Sequence, residues 1–383
     1  MQDDRPIVIV LAPDSFKGSL GARDACSAIA GGLRRVFPNA EIRARPMADG
    51  GEGTIDAVLA GGGERKAHDV TGAGGQRRTA GYGMISTPEG PTAIVEAAEI
   101  VGLTDPAGLS VAVRDRSTTG MGELLRALLD AGTRRFMIGL GGTSTNDGGA
   151  GMLAVLGVRF RDRAGQDVTP TLAGLARVAS VDASALDERL ASCSLTILSD
   201  VTNPLCGGLG ATSVFGPQKG IRVEDVGAAD DVLKRYADLV EGAFGTRAAH
   251  KPGAGAAGGL GFAAHLLGGL IRSGAEVVAD LIGLDGALVG ASWVLTGEGK
   301  SDAQTLAGKA PFVVARRAHA ARVPATLLSG AVDRAALPDL GKVFAGCFAL
   351  PEGPMTLAAC IENAPSLLAD RAEQLAHLWR EAR

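Results

Sequence analysis

Aromatic side chains are scarce, at 4% of 383 residues, which leaves few platforms on which the bases of single-stranded nucleic acid could stack. No block of lysine or arginine stands out and the formal net charge is −4, so neither nucleic acid nor an anionic membrane is an expected partner. The five cysteines, Cys26, Cys193, Cys206, Cys347 and Cys360, are odd in number and never spaced CxxC. That argues against a disulfide framework or structural zinc and for a reducing compartment. The five histidines, His68, His250, His265, His319 and His377, lack metal-ligand spacing. The nucleophile elbow GxSxG is absent. No apolar run reaches membrane-spanning length. The opening MQDDRPIVIVLAP starts acidic and turns polar after a handful of apolar residues, unlike a secretory signal. A cytoplasmic protein is expected.

Two apparent nucleotide fingerprints also fail. Gly253, Gly255 and Gly258 spell GxGxxG, but the motif follows RAAHKP where a dinucleotide site needs a strand. GEGKS at 297–301 ends like a P-loop, yet Val294 stands where the first glycine is required.

What the chain does have is glycine: 56 residues, roughly twice the usual share of about 7%. They lie between apolar segments, as tight turns and close backbone approaches require. Apolar residues make up 46% and charged residues 21%, a globular composition whose length implies two domains. Ile7–Leu11 reads as a buried parallel strand, followed by a helix over Ala22–Val36. Glu41–Met47 and a helix over Ile55–Ala60 repeat the pattern, as in a doubly wound sheet. Trp293–Thr296, Ala325–Ser329 and Lys342–Leu350 continue it near the C-terminus. A last amphipathic helix begins near Pro365, with Leu368, Ala372, Leu375 and Trp379 on one face. In between, Arg77–Thr87 and Pro91–Glu96 read as antiparallel strands around STPEGP. Thr118 or Thr119 is placed to cap a helix that ends at Gly132. The expected architecture is α/β: a Rossmann-like parallel-sheet domain formed from both chain ends (1–66 plus 288–383), with an inserted mixed-sheet α/β domain (67–287). The active site is expected in the cleft between them. Lys251–Gly261 reads as a mobile loop or hinge.

The densest chemistry lies in FMIGLGGTSTNDGGAGM, residues 136–152. A strand-like run breaks into glycines, three hydroxyls and Asn-Asp, the composition of a loop that wraps backbone N–H groups around an anion. Asp14 with Lys17, Asp49 with Glu52, Asp200, and Glu298 with Asp302 likewise follow short apolar runs. In open α/β sheets ligands bind beyond the carboxyl ends of the strands. Carboxylates together with anion-binding glycines are the equipment of magnesium-assisted phosphoryl transfer. Each aspartate taken singly could instead cap a helix or shape a turn.

APDSFKGSL, MADGGEGT, LGGTSTNDGGAGM, SDVTNPLCGGLGATSVFGPQKG, GAAGGLGF and TGEGKSDAQTLAGKAP, running from residue 12 to 311, together resemble the bacterial glycerate kinase family that acts on carbon 2. This chain has GGTSTNDGG where GGSATNDGG is expected in that family. The resemblance implies ATP- and Mg2+-dependent phosphorylation of D-glycerate to 2-phosphoglycerate. Its small-molecule partners would be D-glycerate and the nucleotide, and a homodimer is left open. Within that reading Lys17 holds the glycerate carboxylate or a transferring phosphate, and Asp200 is the base, with Asp49 its rival. Ser15, Asp49, Glu52 and Asn203 contact substrate. Gly141, Gly142, Thr143, Ser144, Thr145 and Asn146 cradle nucleotide phosphates. Asp147, Glu298 and Asp302 are the metal candidates. A kinase or phosphatase acting on another small hydroxy acid, or a non-catalytic sensor, are the alternatives.

Overall fold

The computed structural model describes residues 7–382. The strands in chain order are β1 (Val8–Leu11), β2 (Glu41–Ala44), β3 (Glu64–Thr71), β4 (Arg77–Thr87), β5 (Gly90–Glu96), β6 (Arg135–Gly139), β7 (Arg159–Arg161), β8 (Ser180–Asp182), β9 (Ser194–Leu198), β10 (Leu270–Arg272), β11 (Trp293–Ser301), β12 (Ala325–Val332) and β13 (Gly346–Ala349). They fall into two compact units. The first takes residues up to 49, 56–62 and 275 onward; the second takes 50–55 and 63–274.

The sheet of the first unit has the order β13-β12-β11-β1-β2, and every pair in it is parallel. Val8–Leu11 is buried throughout, as a strand covered on both faces must be, and that is why it reads as a continuous apolar run. On one face, helices Ala22–Val36 and Ala364–Glu381 share a core that includes Ile29, Leu33, Leu368 and Ala372. Trp379 closes it, stacked on Trp293 at 5.4 Å and edge-on to Phe37 at 5.7 Å. Such aromatic pairs add about 0.5–1.5 kcal/mol each beyond area burial.

The second unit carries the sheet β10-β9-β6-β5-β4-β3, parallel from β5 to β10 and antiparallel from β5 to β3. β7 and β8 form a separate antiparallel pair. The α/β class is as the sequence implies, with a parallel sheet built from both chain ends and an inserted mixed sheet.

Several local readings change. The unit crossovers fall at 62/63 and 274/275, where the sequence suggested 66/67 and 287/288. β3 pairs along its length with β4, but it is mostly exposed and so carries no apolar signal. Residues 276–285 are tied to helix Ala310–Ala320 by Arg317, which pairs with Glu276 at 2.7 Å, Asp280 at 2.7 Å and Asp285 at 3.1 Å. GEGKS is strand, not loop, since β11 stays paired with β12 out to Ser301↔Val332. Gly297 allows this, because a Cβ there would collide with the Leu328 carbonyl on β12.

Gly253–Gly261 is neither mobile loop nor hinge; it is buried throughout. Gly258 sits at φ +66°, where a Cβ would meet the Thr145 carbonyl, and its own carbonyl accepts from Gly148 N at 2.9 Å. Its glycines permit backbone contact with another loop, which is why the GxGxxG pattern appears without a nucleotide fingerprint. Among the described residues, no helix is long and apolar enough to cross a membrane.

Candidate active site

In the first unit, the loop after β1 and the end of β11 enclose a pocket of about 610 Å3. Hydrogen bonds from Ala12 N to Leu295 O and from Asp14 N to Gly297 O, both 2.8 Å, fasten that loop to β11. They bring Asp14 and Glu298 together although the two lie far apart in the chain. Asp14, Asp49 and Glu298 put three carboxyl groups in the pocket wall, and Lys17, Lys300 and Lys309 put three amino groups there.

Asp14 is buried, 5% exposed. Burial, with Asp49 and then Glu298 as like-charged neighbours, raises its carboxyl well above the usual range, against the pull of the Ser15 N–H and Lys17. Ser15 N donates to Asp14 Oδ1 at 2.6 Å. Glu298 is oriented by Thr305 Oγ1 at 2.6 Å and Ser301 Oγ at 3.0 Å, both donating to Oε1, while Lys309 Nζ stands 3.5 Å from Oε2. The rest of the pocket is apolar: Phe16, Leu350, Pro351, Met355, Leu357 and Ile361.

Asp302 does not line this pocket. Its Oδ1 accepts Gln304 N at 2.9 Å and its own N–H donates to Thr305 Oγ1 at 3.0 Å, so it shapes the turn after β11. Asp302, a metal candidate in the sequence, is thus held in its own turn and lies outside the lining of this pocket.

In the second unit, the loop following β6 turns its side chains inward. Thr143, Ser144, Thr145, Asn146 and Asp147 are all buried. Ser144 Oγ donates to Val101 O at 3.0 Å, and Asn146 Nδ2 to Thr212 Oγ1 at 3.0 Å. Two buried cations brace the backbone from behind: Lys219 Nζ donates to Thr145 O at 2.8 Å, and Arg116 Nη1 to Ser144 O at 3.1 Å. Burial pulls the Lys219 ammonium down to about 7, with nearby Arg116 acting in the same direction and Asp147 opposing. Thr145 Oγ1 and Asn146 Oδ1 are buried with no hydrogen-bond partner in the protein. The side chains on which phosphate contact was expected, those of Thr143, Ser144, Thr145 and Asn146, are thus packed inside the loop. Gly142 remains exposed and Gly141 half-buried, the latter donating to Gly50 O at 3.3 Å.

Asp147 is packed inward as well. Its Oδ2 accepts Thr118 N at 2.7 Å, Thr118 Oγ1 at 2.8 Å and Gly151 N at 3.2 Å, and its Oδ1 accepts Gly149 N at 3.1 Å. Fully buried and accepting four protein hydrogen bonds, it serves in this structure as a structural hub of its loop. Thr118 stands at the N-cap of helix Thr119–Asp130 without making a side-chain cap; its hydroxyl instead donates to Asp147 and accepts Met152 N at 3.0 Å.

Asp200 is exposed just beyond the carboxyl end of β9. Asn203 Nδ2 donates to Leu209 O at 2.8 Å, which fixes the shape of its own loop. Glu52 is exposed, on a loop whose Gly53 N and Ile55 N donate to the Glu96 carboxylate at 3.3 and 2.6 Å.

The structure thus gathers Ser15, Lys17, Asp49 and Glu298 into one pocket, and it adds Asp14, Lys300 and Lys309, which the sequence reading had not assigned. Asp14 was detectable as an acid at a strand end. Lys219 lies in the FGPQKG motif, but nothing in the sequence marks it or Arg116 as buried before the fold is known.

A pocket beyond the carboxyl ends of a parallel sheet, lined by carboxylates, lysines and an apolar wall, is where an α/β enzyme binds small molecules. The glycerate kinase family model matches residues 9–380, and the chain belongs to that family and is a kinase. It is 39% identical over 376 residues to glycerate kinase of Bacillus subtilis (strain 168), covering 96% of each chain. It is 38% identical over 329 residues to glycerate 2-kinase of Escherichia coli (strain K12), covering 85% of each. A crystal structure of a provisional glycerate kinase 2 from Salmonella typhimurium LT2 superposes with a TM-score of 0.83, at 37% identity and 99% coverage of both chains.

Proposed function

We propose that this protein transfers the γ-phosphoryl group of ATP to the 2-hydroxyl of D-glycerate, giving 2-phosphoglycerate, with Mg2+ as the assisting ion. The observation that carries the reading is the pocket at the ends of β1 and β11, where three carboxylates and three lysines meet an apolar wall. Similarity over 85% of the chain to a protein named glycerate 2-kinase supports the regiochemistry.

The residues fit magnesium. Among the described residues no three His, Cys, Asp or Glu side chains form a metal cage by themselves, but magnesium commonly takes one or two carboxylates and completes its shell with phosphate oxygens and water. Asp14, held above the usual carboxylate range by burial and by Asp49 and Glu298, marks an excess of negative charge that a divalent cation would relieve. Asp14 and Asp49 would hold the ion, with Glu298 behind them. When bound, magnesium neutralises charge on the phosphate oxygens.

Lys17, exposed in the first strand-end loop, binds a phosphate or the glycerate carboxylate as a mobile point charge. Lys300 and Lys309 neutralise the remaining phosphate charge, and Ser15 contributes a hydroxyl to the same wall. Asp200 orients the acceptor hydroxyl and takes its proton; Asp49 is the rival for that role. Glu52, Asn203 and the Gly141–Gly142 backbone are assigned to ligand contact on the second unit.

The test is purified protein with ATP, Mg2+ and D-glycerate coupled directly to enolase, read as phosphoenolpyruvate absorbance. Signal without phosphoglycerate mutase supports attack by the 2-hydroxyl. Signal that appears only with mutase moves the phosphate to carbon 3, and absence of both product and ADP sinks the glycerate reading. Asp200→Asn that keeps near-normal turnover would remove the base role from Asp200.

A further inference from the structure

The pocket of the first unit is too large for glycerate, a molecule of seven non-hydrogen atoms, and half its wall has no use for one. Leu350, Pro351, Met355, Leu357 and Ile361 line it together with the charged strand-end residues. Helix Leu357–Glu362 buries none of its residues. Leu357 is 76% exposed, and Met355 and Ile361 39% each. Three large apolar side chains exposed within seven positions need covering, and a clustered patch of this kind marks a binding surface. The same pocket offers Lys17, Lys300 and Lys309. An apolar patch and a set of lysines in one pocket suit a flat heteroaromatic ring joined to a polyphosphate, as in a nucleoside di- or triphosphate.

The apolar lining is poor in hydrogen-bonding side chains. Ser19 Oγ, which lines the pocket there, donates to Ile361 O at 2.8 Å, so its proton is used in tying the β1 loop to the helix. Cys360 adds only a weakly polar thiol. Discrimination between bases is strong when buried polar groups are left unpaired by the wrong ligand, and weak when only shape and apolar contact are available.

We propose that the nucleotide's base lies on Leu350, Met355, Leu357 and Ile361, held by apolar contact alone, and that the enzyme therefore accepts other purine nucleoside triphosphates alongside ATP. This rests on the kinase reading above and assigns its nucleotide to the first unit.

The experiment is calorimetric titration of ADP with Mg2+ and no glycerate, on wild type, Ile361→Asp, Leu357→Asp and, as a control for added surface charge, Leu378→Asp, an exposed leucine outside the pocket. Melting temperatures are recorded for each. Both pocket variants should weaken ADP binding by about tenfold or more, equivalent to some 1.4 kcal/mol, with melting unchanged and the control binding as wild type. Initial rates with GTP and ITP should fall within about tenfold of the ATP rate at equal concentration. ADP binding equal to wild type in both pocket variants overturns the base site while leaving the kinase reading intact. Weakening in the control as well assigns the effect to charge and likewise overturns it. GTP and ITP more than about a hundredfold slower than ATP overturn apolar-only recognition. Wild type that neither binds ADP nor turns over instead removes the kinase reading itself.

Discussion

Asp14 and Asp147 look alike in the chain. Each follows a short apolar strand by a few residues in a loop of small and hydroxyl side chains, and each is buried. Burial raises both carboxyls. Their surroundings differ. Asp147 receives four hydrogen bonds, and burial rather than a like charge is what raises it. Asp14 accepts Ser15 N and is pushed further by Asp49 and Glu298. A buried acid with its acceptors filled stabilises a fold; one set among like charges is held at a cost in stability, and such perturbed groups cluster at functional sites.

The largest expected effect is on catalysis. Asp14→Asn should lower kcat/KM by ~10²- to 10⁴-fold while the melting temperature holds or rises. The stability sign follows from the raised folded pKa: the native state keeps a proton that the unfolded chain releases above its value near 3.9. The variant's advantage should therefore be small near pH 4 and grow toward neutrality. A variant that loses stability at pH 7 would place Asp14 with Asp147 and end the contrast.

Asp147→Ala should act in the opposite way, losing about 3 kcal/mol or more of unfolding free energy, because Thr118, Gly149 and Gly151 are left as buried donors without an acceptor. Urea unfolding by circular dichroism measures it. A stable, inactive Asp147→Ala would return the residue to the ligand site.

Lys219→Met should cost about 1–3 kcal/mol through the uncovered Thr145 carbonyl, and unequally with pH. Lys219 is held down at about 7, so the penalty of burying its charge is present in full below that value. The penalty fades as pH rises toward the unfolded value of about 10.4. The gap between wild type and variant should be smaller at pH 6 than at pH 9 in paired unfolding curves. Thr118→Val is the mildest test: it removes one link to Asp147 and should cost about 1 kcal/mol, visible as a small shift in urea midpoint at constant slope.

Much of this was legible in the chain. Helix Ala22–Val36 has the ends the sequence gives it, and β1, β4 and β5 fall within a residue of their readings, because period and apolar continuity are local properties. Lys17, Ser15, Asp49 and Glu298 were found as strand-end residues. The failures share one cause. GGTSTND has the composition of an anion loop whether its hydroxyls face outward or inward, and here Arg116 and Lys219 draw the loop's carbonyls toward the interior. GAGAAGGLG reads as flexible until another backbone is packed on it.

By itself the sequence determined which segments are strands and helices, which acids stand at strand ends, and the family to which the chain belongs. Those follow from short-range periodicity and from residue identity. Only the tertiary structure decided which acids share a pocket and which are hubs. Pairing of β1 with β11 brings Asp14 to Glu298 across nearly the whole chain, whereas Asp147 finds its donors in Thr118 and its own loop. A carboxylate's role is set by the charge, donors and solvent around it, and those neighbours come from distant residues that only folding assembles.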